Sequence, residues 1–429
     1  MTPTSTPTTS TPSLSSPTLS TGPAQTVPTI PGVVAAQLPA GSRVGSPASP
    51  VPLLDVNRSN EEIRGEVLQL WTEIYDQGGF VGGPHVKNLE AKLAEICETT
   101  HVVACASGSD ALVLALMAAG LEPGDEVIVP AFTFFATASA VWRLGGTPVF
   151  ADIDPLTFNM DPNHVRSLIN NHTKAIIPVH LFGLASDMAA YRDLCAQEDL
   201  WLIEDCAQSI GARYGEQVVG GLGDIGCFSF YPSKNLGGFG DGGFLTAQDP
   251  EIATRLRVFA NHGMTETYRH EYVGINSRLD ALQAAALWVK CRQLDALTQQ
   301  RRENVQRYRQ LFAESGLDRE LGLPVEPADC FHVWNQFTIR VPGGRRDELK
   351  AGLSERGIGS AVYYPTPLNR QKCFAALGYP EGSLPHTEQA CREVLSLPVF
   401  PGLTFEEQRR VVHAIEQVWQ QASARRIAG

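Results

Sequence analysis

The 429-residue sequence predicts an α/β protein: a large domain built on a mostly parallel sheet, then a small C-terminal α+β domain. Short Val/Ile/Leu runs alternate with helical patterns through the middle of the chain, as crossover units on a covered parallel sheet require. A long helical periodicity begins near Ser277, and beyond about Leu323 the pattern changes to mixed strands and helices. The division follows as residues 1–50, 51–320 and 321–429.

Taken in order, the chain opens with a segment from Met1 to about Pro50 that is almost all Thr, Ser, Pro, Ala and Gly. Such a composition cannot offset the entropy of ordering, so a disordered tail is expected, with a tether as the functional alternative. The runs Glu126–Pro130, Thr147–Asp152, Ala175–His180 and Leu200–Asp205 are expected as buried strands, separated by helices such as Asp110–Ala119 and Ser186–Gln197. Leu279, Leu282, Ala286 and Val289 keep a three-four spacing, and Ser277 with Asp280 has capping-box spacing, which predicts a helix starting near Ser277. The last portion predicts a strand (Trp334–Val341), a helix (Asp347–Arg356), a strand (Gly359–Tyr364) and a final helix from Thr404.

Composition excludes several classes. The chain is 43% hydrophobic and 19% charged with net charge −12, the balance of a soluble globular protein without general affinity for nucleic acid or anionic membrane. Nine cysteines without a CxxC pair suggest neither disulfides nor zinc, and no metal is expected. A cytoplasmic setting fits, since no stretch approaches a membrane span and no signal-peptide pattern opens the chain; the Asn-x-Ser/Thr matches at Asn57 and Asn171 then carry no weight.

Two glycine runs match GxGxxG: Gly221, Gly223, Gly226 and Gly238, Gly240, Gly243. That motif binds dinucleotides when it follows a strand and opens a helix, whereas here each run precedes a strand-like segment. Three other segments carry chemistry. Ala106-Ser107-Gly108-Ser109-Asp110 opens a helix, where free N–H groups and the helix dipole attract a phosphate, although most such starts are ordinary caps. The strand ending in Asp205, followed by Cys206, Ala207 and Gln208, puts a carboxylate at a sheet edge, where it either caps a loop or holds a pyridine nitrogen protonated. Phe228-Ser229-Phe230-Tyr231-Pro232-Ser233-Lys234 ends in hydroxyls and one lysine, a surface residue unless burial lowers its basicity and makes it a Schiff-base nucleophile.

In this order and at these distances, the segments resemble the DegT/StrS family of sugar aminotransferases, which have the aspartate-aminotransferase-like fold of pyridoxal-phosphate (PLP) enzymes, fold type I. The resemblance runs from about Val51 to the last helix and includes Gly82-Gly83-Pro84, Pro130–Thr137, Gly274–Leu279 and Leu395–Pro401. It implies a PLP-dependent transaminase in which Lys234 holds pyridoxal 5'-phosphate covalently and Asp205 pairs with its ring nitrogen. Gln208 approaches the phenolic oxygen, while Gly108, Ser109 and Ser229 hold the phosphate. Phe134 stacks on the ring unless it is plain core. Asn276, or failing it Arg278, reaches the phosphate of a neighbouring subunit, so a homodimer with shared active sites is implied.

The same resemblance implies transfer of an amino group from glutamate to a nucleotide-linked ketosugar, in polysaccharide or glycoconjugate biosynthesis. A cyclitol aminotransferase and a non-catalytic regulator keeping the fold are the alternatives. Dehydratase relatives replace the lysine with histidine, which Lys234 argues against. Tyr363 stands where many relatives have histidine, and Asp241 where glutamate is common.

Overall fold

Residues 49–428 are described by a computed structural model, with side chains to residue 421. The segment expected to be a disordered tail lies outside the described residues up to residue 48.

Seven strands form the principal sheet: β1 (His101–Cys105), β2 (Glu126–Pro130), β3 (Thr147–Ala151), β4 (Thr173–Ile176), β5 (Trp201–Asp205), β6 (Ile225–Ser229) and β7 (Gly243–Ala247). Their spatial order is β1-β7-β6-β5-β4-β2-β3, with β7 antiparallel to both neighbours and every other pairing parallel. Successive strand side chains point to opposite faces. Val103, Val127, Val129, Ile203 and Ile225 therefore enter the core on one side, while Val102, Ala104, Ile128, Leu202 and Phe228 enter the core on the other. A strand apolar at every position is what a sheet covered on both faces needs, which is why the runs lacked alternation.

Helices α1 (Arg64–Gln77), α2 (Gly108–Ala118), α3 (Phe135–Arg143) and α4 (Ala281–Cys291) pack in this part of the chain. A further core joins α5 (Leu294–Ser315), α6 (Arg346–Glu355) and α7 (Phe405–Ala428) to the antiparallel pair β8 (Phe337–Arg340) and β9 (Val394–Leu397). Tyr308, Phe312 and Phe337 stack at its centre, and Val51 is buried in it. No helix among the described residues is long and apolar enough to cross a membrane.

The strand expected over Ala175–His180 runs instead from Thr173 to Ile176, with one further bridge from Val179 to Asp205, and two more expected elements differ. The helix expected from Ser277 starts at Ala281, because the Ser277 hydroxyl donates to Asp110 Oδ2 (2.8 Å) and accepts the Ala106 N–H (3.1 Å) instead of capping. Residues up to Asp280 stay extended, and Asp280 pairs with Val81. The strand expected over Gly359–Tyr364 is reduced to one bridge, Ala361 with Ser396. Pro365 and Pro367 follow it, and neither has an N–H to extend a ladder.

The first glycine run is explained by Glu204. Its fully buried carboxylate accepts N–H groups from Gly220 (2.8 Å), Leu222 (2.8 Å) and Gly223 (2.7 Å), and His180 Nε2 lies 3.0 Å away. Since His180 Nδ1 accepts the Ser186 N–H, the network assigns the ring proton to Nε2. A Cβ on Gly223 would lie 2.5 Å from the Leu202 carbonyl oxygen, and one on Gly226 would lie 2.3 Å from Thr246 Oγ1. These glycines permit close packing around a charge. The ligating atoms of His180, Glu204 and Cys206 lie within 4.8 Å of one another. Their hydrogen bonds already commit both His180 nitrogens and the Glu204 carboxylate to the protein.

Replacing Glu204 by Ala strands two buried N–H groups and one partly buried one and should lower the unfolding free energy by about 3–5 kcal/mol. Urea unfolding measures this, and a loss below about 1 kcal/mol would contradict the clamp.

Candidate active site

Because β1, β5 and β6 run the same way, their carboxyl ends meet at one sheet edge, where ligands of open α/β sheets bind. Gly243, at the start of β7, pairs with both Cys105 and Ser229 and so brings the ends of β1 and β6 together. Only glycine fits there: a Cβ would lie 2.6 Å from the Ser107 carbonyl carbon and 2.7 Å from the Phe228 oxygen.

The close approach brings α2 against Ser229. Ser107 is its N-cap, accepting the Asp110 N–H at 3.1 Å, and the first intrahelical bond runs from Ala111 N–H to the Ser107 carbonyl. The N–H groups of Gly108 and Ser109 precede that bond and belong to the first turn, whose donors have no intrahelical partner. A Cβ on Gly108 would lie 2.7 Å from Ser229 Cβ. Gly108, Ser109 and Ser229 thus form a cradle of donors at a positive helix end, suited to an anion.

Asp205, 4% exposed at the end of β5, accepts the Thr137 hydroxyl at Oδ2 (2.8 Å) and the Ala207 N–H at Oδ1 (3.2 Å). Burial raises its pKa, opposed by these two bonds and by the charge of Lys234. A carboxylate offers about four lone-pair sites, so Asp205 keeps capacity for a further donor where Glu204 does not.

Lys234 sits in a turn, its N–H donated to the Tyr231 carbonyl (2.8 Å). Gly238 N–H closes the surrounding loop on the Phe230 carbonyl (2.7 Å). Asn235 pins the loop through Nδ2 to the Val333 carbonyl, and Asn335 Nδ2 donates to Asn235 Oδ1, both at 2.9 Å. Burial pushes the Lys234 amine down to about 8, with the Asp205 carboxylate acting in the opposite direction.

The remaining expected residues fall around this cluster. Gln208 Oε1 is committed to the Phe182 N–H (2.6 Å), which leaves its amide nitrogen, 3.4 Å from the Tyr364 hydroxyl, as the outward group. Phe134 is 58% exposed just ahead of α3, and its ring lies 6.5 Å from that of Tyr364, so plain core packing does not describe it. Asn276 and Arg278 are exposed on either side of buried Ser277, and Arg278 donates to Asn261 Oδ1 (3.2 Å). Next to Asn276, the Ser277 hydroxyl holds Asp110 at the start of α2. Of the departures, Asp241 is exposed and Tyr363 is partly buried, its phenol pushed up in pKa by burial and by Tyr231.

Sequence reasoning missed Thr137, Tyr364, Glu204 and His180. Thr137 had one usable signal, its position on the first turn after Phe134; the other three are placed by long-range contacts that spacing does not carry.

Comparison with known proteins agrees with this architecture. The crystal structure of S. venezuelae DesV, solved with a ketimine intermediate, superposes with a TM-score of 0.83 at 42% identity, covering 86% of this chain and 98% of that one. Fold and relatives make the chain a pyridoxal-phosphate-dependent aminotransferase. It belongs to the DegT/DnrJ/EryC1/StrS aminotransferase family, whose pattern matches residues 61–416. Among curated relatives, the chain is 47% identical to the pleiotropic regulatory protein of Geobacillus stearothermophilus, covering 86% of this chain and 98% of that one. It is 44% identical to the UDP-N-acetyl-3-dehydro-alpha-D-glucosamine 3-aminotransferase of Acidithiobacillus ferrooxidans, covering 86% and 97%.

The residues present fit the family's cofactor: a donor cradle for its phosphate, a carboxylate with spare capacity for its ring nitrogen, and an amine of lowered basicity. In the cofactor-free protein, Lys234 should titrate near 8. An opposite charge favours the ammonium, so Asp205→Asn should move that titration lower still. Peptide-resolved labelling of the amine against pH measures both values, and an unchanged or higher value in the variant would contradict the pairing.

Proposed function

We propose that the protein transfers an amino group from glutamate to a nucleotide-linked ketosugar, with Lys234 as the reacting amine. The observation that carries this is the convergence of Lys234, Asp205 and the Gly108–Ser229 cradle at one sheet edge. The substrate class is supported by the Acidithiobacillus relative, whose name specifies a UDP-linked keto sugar.

Bound there, pyridoxal phosphate would supply an electron-withdrawing ring and carry the amino group between donor and acceptor. Gly108 and Ser109 N–H groups and the Ser229 hydroxyl would hold its phosphate, helped by the α2 dipole. Asp205, oriented by Thr137 and the Ala207 N–H, would keep a proton on the ring nitrogen. Gln208 would face the phenolic oxygen with its amide nitrogen, and Phe134 would lie against the ring. Lys234 Nζ takes the proton from the donor's α-carbon in the first half of the cycle. In the second half it delivers a proton to the sugar carbon that gains the amine. A pKa of about 8 suits both directions near neutral pH, because the amine is then neither fully protonated nor weakly basic.

The assembly we favour is a homodimer in which the partner subunit's Asn276 completes the phosphate site, consistent with the exposure of Asn276. A cytoplasmic setting is supported by nine cysteines without a disulfide.

The name of the Geobacillus relative is the specific reason to test the regulatory alternative. A regulator has no use for an amine of lowered basicity beside a buried carboxylate. Three measurements separate the readings: the visible spectrum with glutamate, turnover of UDP- and dTDP-linked ketosugars, and turnover of cyclitol ketones. Glutamate should bleach the cofactor band, a nucleotide-linked ketosugar should be aminated, and Lys234→Ala should lose at least about 10²–10⁴-fold in turnover. A spectrum indifferent to glutamate would favour the regulator, and turnover confined to cyclitol ketones would favour the other enzyme.

A further inference from the structure

Helix α4 presents two side chains to the glycine loop that follows Lys234. Gln283 Oε1 accepts the Phe239 N–H at 2.8 Å. Further along the same helix, Lys290 donates from Nζ to the Gly237 carbonyl, and that nitrogen lies 5.2 Å from the centroid of the Phe239 ring. Phe239 packs edge-on against Trp71 of α1 at 5.4 Å, and Trp71 donates its indole N–H to the Leu282 carbonyl of α4 at 2.7 Å. The loop is thus held between two helices by one cation, one amide and two rings.

Lys290 is 7% exposed, and its contacts are a carbonyl and an aromatic face, with no carboxylate in salt-bridge range among the described residues. Burying an ammonium this way is expensive, and a Leu or Met would fill the same space more cheaply. Burial pushes its amine down to about 8. What the ammonium provides that an apolar chain cannot is a donor for the Gly237 carbonyl and attraction to the Phe239 ring.

The location gives that grip a consequence. Gly237 has no side chain to wedge it in place, because a Cβ would lie 2.3 Å from the Pro232 carbonyl oxygen. Its neighbour Gly238 closes the loop on Phe230, and Lys234 lies inside that loop. Lys290 and Lys234 also line one small cavity of about 30 Å³, with Asp55, Ser233, Asn235 and Arg301 in its wall.

We propose that Lys290 is a positioning residue for transamination: its ammonium anchors the Gly237 carbonyl and the Phe239 ring, and so fixes the loop that aims the Lys234 amine. This rests on Lys234 being the reacting amine. Lys290 touches the loop and not the reacting atoms, so its loss should affect rate and local order more than donor binding.

The test uses full-length protein, with and without pyridoxal phosphate, and the variants Lys290→Met, Lys290→Arg and Phe239→Leu. Two quantities are read: amide hydrogen exchange at Gly238 and Phe239 in the cofactor-free protein, and the rate of glutamate-driven bleaching in the loaded one. In Lys290→Met, exchange should rise and bleaching should slow, each by about tenfold or more, with the glutamate concentration for half-maximal rate changed by less than about threefold. Lys290→Arg should recover both. Values within about twofold of wild type in Lys290→Met would overturn the proposal, as would slow bleaching with unchanged exchange, which would make Lys290 a participant in the chemistry. If Lys290→Met does not fold, Phe239→Leu decides, since it removes the ring and leaves the cation; wild-type exchange there would equally overturn the anchor. A wild-type enzyme that glutamate does not bleach refutes the functional reading and this proposal together, whereas a bleaching wild type with indifferent variants refutes only the latter.

Discussion

A carboxylate taken out of water stays charged only where donors or a counter-charge meet it, and β5 ends in two of them, Glu204 and Asp205, both buried. Strand geometry points them to opposite faces. Glu204 is met by three backbone N–H groups and His180, which draws the loop from Gly220 to Gly223 around it. Asp205 is met by one hydroxyl, one N–H and the charge of Lys234, and retains room for a donor brought by a ligand. One carboxylate closes the fold and its neighbour opens a site, although the two are chemically alike.

Placing that site at the strand ends is the work of glycine. Gly243 pairs with the end of β1 on one side and the end of β6 on the other, and Gly108 lets α2 approach Ser229. The same logic explains both GxGxxG matches: the first wraps Glu204, and the second forms the loop beyond Lys234, held by Gln283 and Lys290. Neither opens a helix, so their glycines serve packing and approach within the protein.

The sheet was legible because strands covered on both faces are apolar at every position, and the helix start at Gly108 because its cap is local. Lys234, Asp205 and Ser229 could be proposed from residue type and order, but their convergence comes from the sheet order, which places β6 beside β5 and β7 beside β1. The helix expected at Ser277 failed for the same reason: a hydroxyl with two partners distant in sequence cannot also cap a local turn. Thr137, Glu204 and His180 were hidden because a threonine in a helix and a strand-end Glu have many ordinary uses, and only three-dimensional contacts select one.

Two lysines now share the property that first suggested catalysis. Lys234 and Lys290 are both pushed down to about 8 by burial and line the same cavity, so lowered basicity alone does not identify the amine that holds the cofactor. Their surroundings distinguish them: Asp205 and the Gly108–Ser229 donor cradle belong to the edge where Lys234 sits, while Lys290 is bonded to a loop carbonyl. Borohydride reduction of the cofactor-loaded wild type, followed by peptide mapping, decides between them. A single modified lysine at Lys234 is the result this structure predicts, and a label on Lys290 or any other lysine would contradict it.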